Sequence, residues 1–227
     1  MNTNNLNLQH VKNKNQLFEI YINDTIKKTY MLLALSLFVS VLSAYLGIIF
    51  NYKINFIVFI LFSYSSLYVM EKHKNNYIGL VSLFLFTAFL GFSLGPLLNS
   101  IMFQHINGAS IIGLSLSATG ITFFALSGYA LLSKKNFNFL SGFLSISICV
   151  IIFLIIFRLF FYTPIIQLVL SGLIALFSAT MILRTTSNMI YERGERNCIS
   201  ITASLFLDIY NLFISFLYIF SFLSDRK

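Results

Sequence analysis

From Thr29 onward the chain is a succession of seven apolar runs, each close to the roughly 20 residues that cross a bilayer as a helix, and no other feature restricts its fold as much. They fall at about Thr29–Phe50, Ile54–Met70, Tyr77–Leu98, Ala109–Leu132, Phe139–Phe161, Ile165–Ile190 and Ile199–Leu223. Short connections separate them: NYK, EKHKNN, NSIMFQHING, SKKNFN, YTP and YERGERNC. Lipid offers no partner to an exposed backbone amide, so only helices and closed barrels can span it. Barrel strands alternate apolar and polar residues, and these runs do not. The sequence therefore predicts an all-α polytopic membrane protein with seven transmembrane helices. Composition agrees, with 58% hydrophobic and 10% charged residues against about 25% charged in a soluble domain.

The N-terminal stretch MNTNNLNLQHVKNKNQLFEIYINDTIKK is Asn-rich and polar. It has neither the apolar core nor the small-residue cleavage site of a signal peptide. Residues 1–28 read as a mobile cytosolic tail with a short amphipathic turn around Leu17–Ile22. Residues 29–223 form the transmembrane domain and 224–227 a short C-terminal tail.

A net charge of +8 would suggest nucleic acid in a soluble protein, but here the basic residues punctuate apolar runs and report topology. Lys12, Lys14, Lys27, Lys28, Lys72, Lys74, Lys134, Lys135, Arg193 and Arg196 fall on one side; Lys53, Arg226 and Lys227 fall on the other. The positive-inside rule places the N-terminus in the cytoplasm and, after seven spans, the C-terminus outside. The expected partner is the lipid bilayer, not nucleic acid. Cys149 and Cys198 are too few for a disulfide framework and are expected as free thiols.

Small residues recur on helical faces: Ser36, Ser40, Ser43 and Gly47 in span one, Gly91 and Gly95 in span three, Gly113, Ser117 and Gly120 in span four. Such faces let helices approach closely where lipid supplies no hydrophobic drive, so all three are expected to be bundle contacts. Pro96 is expected to kink or end span three.

Span seven differs. Ser200, Ser204, Asp208, Asn211 and Ser215 are spaced four, four, three and four residues apart, which at about 100° per residue confines them to about 80° of arc. The remaining faces carry Leu205, Phe206, Ile209, Phe213 and Phe216. A charged carboxylate at the bilayer centre costs about 2.5–3.5 kcal/mol on insertion scales, so Asp208 must be neutral, paired or hydrated. Two roles are open: a proton-sensing or cation-binding group, or a protonated carboxyl that joins helices through a Ser or Tyr. Arg184 in span six lies within about 5 Å of the depth of Asp208, at 1.5 Å rise per residue. It either pairs with Asp208 or snorkels to the headgroups, and Arg158 is expected to snorkel.

Catalysis is not expected. His10, His73 and His105 all fall in the tail or in loops. There is no HExxH pair, no phosphate-cradling glycine loop and no base beside a serine; no metal or other cofactor is implied.

The segments LGPLLNS, TTSNMIYERGERN and ASLFLDIYNLFISFLYIFSF resemble the Bax inhibitor-1-like (transmembrane Bax inhibitor motif) family, and within it the bacterial modulators of the FtsH membrane protease. The resemblance runs from about Lys27 to the C-terminus. It implies a bacterial inner-membrane protein of seven helices, with the seventh near the centre of the bundle. In the protease-modulator branch it implies binding to a membrane-bound ATP-dependent protease complex, for which a loose cytosolic tail would be a suitable handle. In channel-like members it implies a calcium leak latched by two aspartates that share a proton, on helices six and seven. Asp208 matches the helix-seven position within LDIYNLF. The helix-six position falls near Thr185, beside Arg184, where no acid is present. The candidate intramembrane polar site is therefore Asp208, Asn211, Ser204, Arg184 and Thr185, with a protease modulator as the first reading and a calcium or proton leak as the alternative.

Overall fold

The computed structural model describes residues 3–52, 54–74, 76–133, 135–161, 163–191 and 197–224, with side chains from Asn23 onward except Phe56 and Tyr191. Lys53, Lys134, Arg193, Arg196, Arg226 and Lys227, used above for topology, lie outside the described residues. The described residues form α1 (Thr3–Phe50), α2 (Phe56–Lys72), α3 (Tyr77–Gln104), α4 (Gly108–Ser133), α5 (Leu140–Phe160), α6 (Pro164–Tyr191) and α7 (Cys198–Ser224). The all-α class is as expected. Six of these helices are long and apolar enough to cross a membrane; α2, at 17 residues, is shorter than the other spans.

Two boundaries differ from the sequence reading. α1 begins at Thr3, not Thr29, because its first glycine is Gly47 and it contains no proline. Polar residues with ordinary helix propensity extend a helix already nucleated by the apolar turns that follow. α3 continues through Pro96 to Gln104. Its far end is held by burial of Leu98 and Ile101, which outweighs the one backbone hydrogen bond that proline removes.

Local chemistry sets several ends. Asn51 closes α1 in the left-handed region at φ 46°, its N–H donating to the Gly47 carbonyl at 2.9 Å, a conformation that asparagine tolerates better than most residues. Asn55 caps α2 by accepting from the Ile57 N–H at 3.0 Å. Asn197 does the same for α7, accepting from the Ile199 N–H at 3.1 Å.

α7 packs against α1, α2, α3, α4 and α6, and no residue from Cys198 to Phe222 is exposed. Leu205, Phe206 and Leu212 meet Leu33 of α1, Leu90 of α3, Phe123 of α4 and Ile182 of α6 in one cluster. Phe213 and Leu217 join Leu94, Leu98 and Ile111 in a second. α5 is the opposite case. Among the described helices it packs only against α6, and Leu144 is its one buried residue, leaving an apolar surface suited to lipid.

The small-residue faces divide. α1 and α3 meet at glycine, where a Cβ on Gly91 would lie 2.2 Å from the Ser40 carbonyl oxygen. The α4 face does not pack as expected. A Cβ on Gly113 or Gly120 would meet nothing within 4 Å, and Ser117 is exposed. Periodicity identifies a smooth face but not whether a neighbour uses it.

Candidate functional site

Ser200, Ser204, Asp208, Asn211 and Ser215 all lie on α7, and two of these five polar side chains, Ser204 and Ser215, are bonded within the helix. The Ser204 hydroxyl donates to the Ser200 carbonyl at 3.1 Å, and Ser215 donates to the Asn211 carbonyl at 2.7 Å. Hydroxyls back-bonded to the preceding turn are not free to serve a neighbour. Asp208 is 5% exposed, and its Oδ2 is buried without a hydrogen-bond partner among the described residues. Groups buried in that way are uncommon, because each forfeits its solvation without replacement.

Arg184 is partly buried, and its Nε also has no partner among the described residues. No ion pair joins it to Asp208; ion pairs among the described residues include Lys28–Asp24 and Lys74–Glu71. Thr185 is 4% exposed. Asp208, Asn211 and Ser204 thus share α7, whereas Arg184 and Thr185 stand on α6 with no hydrogen bond or ion pair to them among the described residues.

Six further buried hydroxyls lack partners among the described residues: Thr29 and Ser36 on α1, Ser63 on α2, Ser133 on α4, and Ser178 and Thr186 on α6. Sequence reasoning treated Ser36 as a packing residue and passed over the others. A signal was present on α6, where Ser171, Ser178 and Thr185 recur every seventh residue and are all buried. The bundle therefore carries buried polar groups on α1, α2, α4, α6 and α7 that the described residues do not satisfy. Such an interior can hold a neutral carboxyl or bound water. No group of three or more His, Cys, Asp or Glu side chains able to hold a metal occurs among the described residues.

At the end where α7 begins, a second polar cluster joins two connections. Ser200 donates to Glu71 Oε2 at 2.7 Å, and Lys74 donates to Glu71 Oε1 at 2.9 Å. The Asn197 side-chain amide donates to the Lys74 carbonyl at 2.7 Å. On the opposite side, the His105 ring and the Ser221 hydroxyl are 2.6 Å apart, tying the end of α3 to the end of α7.

Residues 22–225 match the family model described as inhibitor of apoptosis-promoting Bax1. The chain belongs to that family. An uncharacterized protein of Pseudomonas aeruginosa is 42% identical over 202 residues, 88% of this chain and 89% of its own length. The modulator of FtsH protease YccA of Escherichia coli K12 is 34% identical over 200 residues, 88% of this chain and 90% of its own length. A counterpart in Escherichia coli O6:H1, matched to the same extent, is named inner membrane protein YccA. The family resemblance carried by LGPLLNS, TTSNMIYERGERN and the α7 segment is thereby borne out, and the chain is a membrane protein of the Bax inhibitor type.

Proposed function

We propose that this chain is an inner-membrane protein that binds and modulates a membrane-bound ATP-dependent protease of the FtsH type. The observation that carries this reading is the 34% identity to the Escherichia coli modulator of FtsH protease across 88% of the chain. In this reading all seven helices span the bilayer, N-terminus inside and C-terminus periplasmic, with α2 tilted least because it is shortest. α7 lies at the centre, and residues 1–28, most of them in the first half of α1, are the cytosolic element that the protease can grip. The protein acts by binding, not by catalysis. Co-purification in mild detergent followed by mass spectrometry tests it. The protease subunits are expected to be enriched over a control membrane protein of similar abundance, and degradation of an unassembled membrane substrate should slow when this chain is supplied. No enrichment and no change in degradation would overturn the reading.

A second reading, a calcium or proton leak, is favoured by one observation: the buried Asp208 Oδ2 without a hydrogen-bond partner among the described residues. Against it stands Thr185, which cannot share a proton with Asp208.

A further inference from the structure

Three helices carry buried polar side chains around one apolar cluster, in which Leu33 of α1, Ile182 of α6 and Leu205 of α7 pack together. Residues three and four apart share a helical face. On that face Leu33 is flanked by Thr29 and Ser36, Ile182 by Ser178 and Thr186, and Leu205 by Asp208. The four hydroxyls and Oδ2 of Asp208 are buried without a hydrogen-bond partner among the described residues.

Register sets their depth. Cys198 Sγ donates to the Thr25 carbonyl and Thr202 Oγ1 to the Thr29 carbonyl, both across 173 residues. α1 and α7 therefore run parallel, with Ser36 level with Ile209 and beside Asp208. α6 runs the other way, ending at Tyr191 shortly before α7 begins at Cys198. At 1.5 Å per residue, Thr29 and Thr186 lie about 6–8 Å from that end, and Ser36, Asp208 and Ser178 about 15–20 Å.

The half of the bundle where α7 finishes is built differently. Ser115, Thr119, Ser171 and Ser215 are buried there, and each donates to a carbonyl of the preceding turn of its own helix. Gln167 Oε1, near the start of α6, is an exception. Around α7 this half is closed by Phe213 and Leu217 packed on Leu94, Leu98 and Ile111.

A serine or threonine within a helix has the carbonyl of the preceding turn within reach. Thr29, Ser36, Ser178 and Thr186 do not take it, so their hydroxyls are turned toward another partner. Lipid offers none, and no group of three or more acids, histidines or cysteines able to hold a metal occurs among the described residues. Water both donates and accepts, which suits hydroxyls and a carboxyl alike, and buried water bridges polar groups that protein leaves unsatisfied.

We infer that the space between α1, α6 and α7 holds a file of water that enters at the end where α7 begins and stops beside Asp208. The packing of Phe213 and Leu217 seals it from the other end. Such a blind crevice hydrates an intramembrane carboxyl without opening a path across the bilayer. It requires neither protease binding nor a particular end in the cytoplasm.

The test uses Thr186→Cys, Ser36→Cys and Leu217→Cys, each in the full chain with Cys149 and Cys198 replaced by serine, in sealed vesicles of either orientation. Silver ion, small enough to follow water, is added from one side, and thiols left free are read with maleimide after denaturation. Silver is expected to abolish the maleimide label of Thr186→Cys and Ser36→Cys from the side on which Lys135→Cys reacts. From the side on which Ile106→Cys reacts it should leave both labels, and Leu217→Cys should keep its label throughout. An inverted topology would move these controls and the crevice together, so it is told apart from a failure of the inference. The unsubstituted chain supplies a second measurement if a variant does not fold. X-ray radiolysis in isotopically labelled water should oxidise Leu33, at 2% exposure, and spare Leu217, at 0%. Full label at positions 36 and 186 from both sides, silver reaching Leu217→Cys, or equal oxidation of the two leucines would overturn the inference.

Discussion

Gly95 of α3 lies so close to Gly47 of α1 that a Cβ added to Gly95 would sit 2.1 Å from the Gly47 carbonyl carbon. The obstacle is backbone, which cannot rotate aside as a side chain can. α1 and α3 therefore pack through their main chains, and Ser43 adds a 2.7 Å hydrogen bond to the Ala88 carbonyl across the same contact.

Gly95→Ala is consequently expected to force the two helices apart and to destabilise the bundle by at least the roughly 1–3 kcal/mol typical of overpacking. Gly113→Ala on the open face of α4 should be neutral or stabilising, because alanine favours a helix over glycine by about 0.8–1.0 kcal/mol. Thermal unfolding of both variants in one detergent checks the contrast. Equal melting temperatures would mean that the glycine contact is not as close as described.

The Glu71–Ser200 bond gives a second prediction. Glu71 is bonded by Lys74 on its own connection and by Ser200 on α7. Its side chain is 56% exposed, so the lysine pair is screened and should contribute only about 0–1 kcal/mol. The short hydrogen bond from Ser200 to a charged acceptor should show a coupling of about 1 kcal/mol. A double-mutant cycle with Glu71→Ala and Ser200→Ala measures it; zero coupling would dissolve the clasp.

Much of the architecture was legible because lipid removes choices. Apolar runs of spanning length have to be helices, so six long apolar helices could be placed from the sequence. What could not be seen was what each face meets. Gly91 and Gly113 carry the same small-residue signal, yet one touches a backbone and the other touches no protein. Tolerance of Pro96 depended on the burial of Ile101, which a residue beyond the predicted end of the span contributes. On α7, periodicity placed Asp208, Asn211 and Ser204 on one stripe. It could not tell that Ser204 and Ser215 bond their own helix, or that Arg184 forms no ion pair with Asp208, because those depend on rotamers and helix rotation.

The sidedness proposed from the basic residues predicts a labelling pattern. With Cys149 and Cys198 replaced by serine, Ile106→Cys in the exposed α3–α4 connection should react with an impermeant maleimide on intact spheroplasts. Lys135→Cys should react only after permeabilisation. The reverse pattern would invert every assignment of sides.

If residues 1–28 are the protease handle, deleting Asn2 to Asn23 should leave a folded, inserted protein with a longer lifetime in cells. α1 would then begin near Asp24, where its Lys28–Asp24 pair at 2.6 Å remains intact. Pulse-chase decay of both forms measures the effect. An unchanged lifetime, in cells that demonstrably turn over the full chain, would remove the handle.

Asp208 separates the two functional readings. As a latch, its protonation must bias an open against a closed arrangement, and a second acid must share the proton. Thr185 cannot do so, and Arg184 forms no ion pair with the carboxyl. As packing glue, the carboxyl contributes shape and a hydrogen-bonding group but no titration. Asp208→Asn preserves the first two and removes the third. The variant is expected to fold, insert and co-purify with the protease as the unmodified chain does. Its thermal stability should be unchanged or raised, because a buried carboxyl without a partner costs about 1–3 kcal/mol or more when charged. Calcium flux into proteoliposomes, followed from acid to alkaline pH, is expected to be small and flat for both proteins. A flux from the unmodified chain that is clearly gated by pH, abolished by Asp208→Asn and altered by Arg184→Gln would make Asp208 the latch, and the leak would replace protease modulation as the reading of this site.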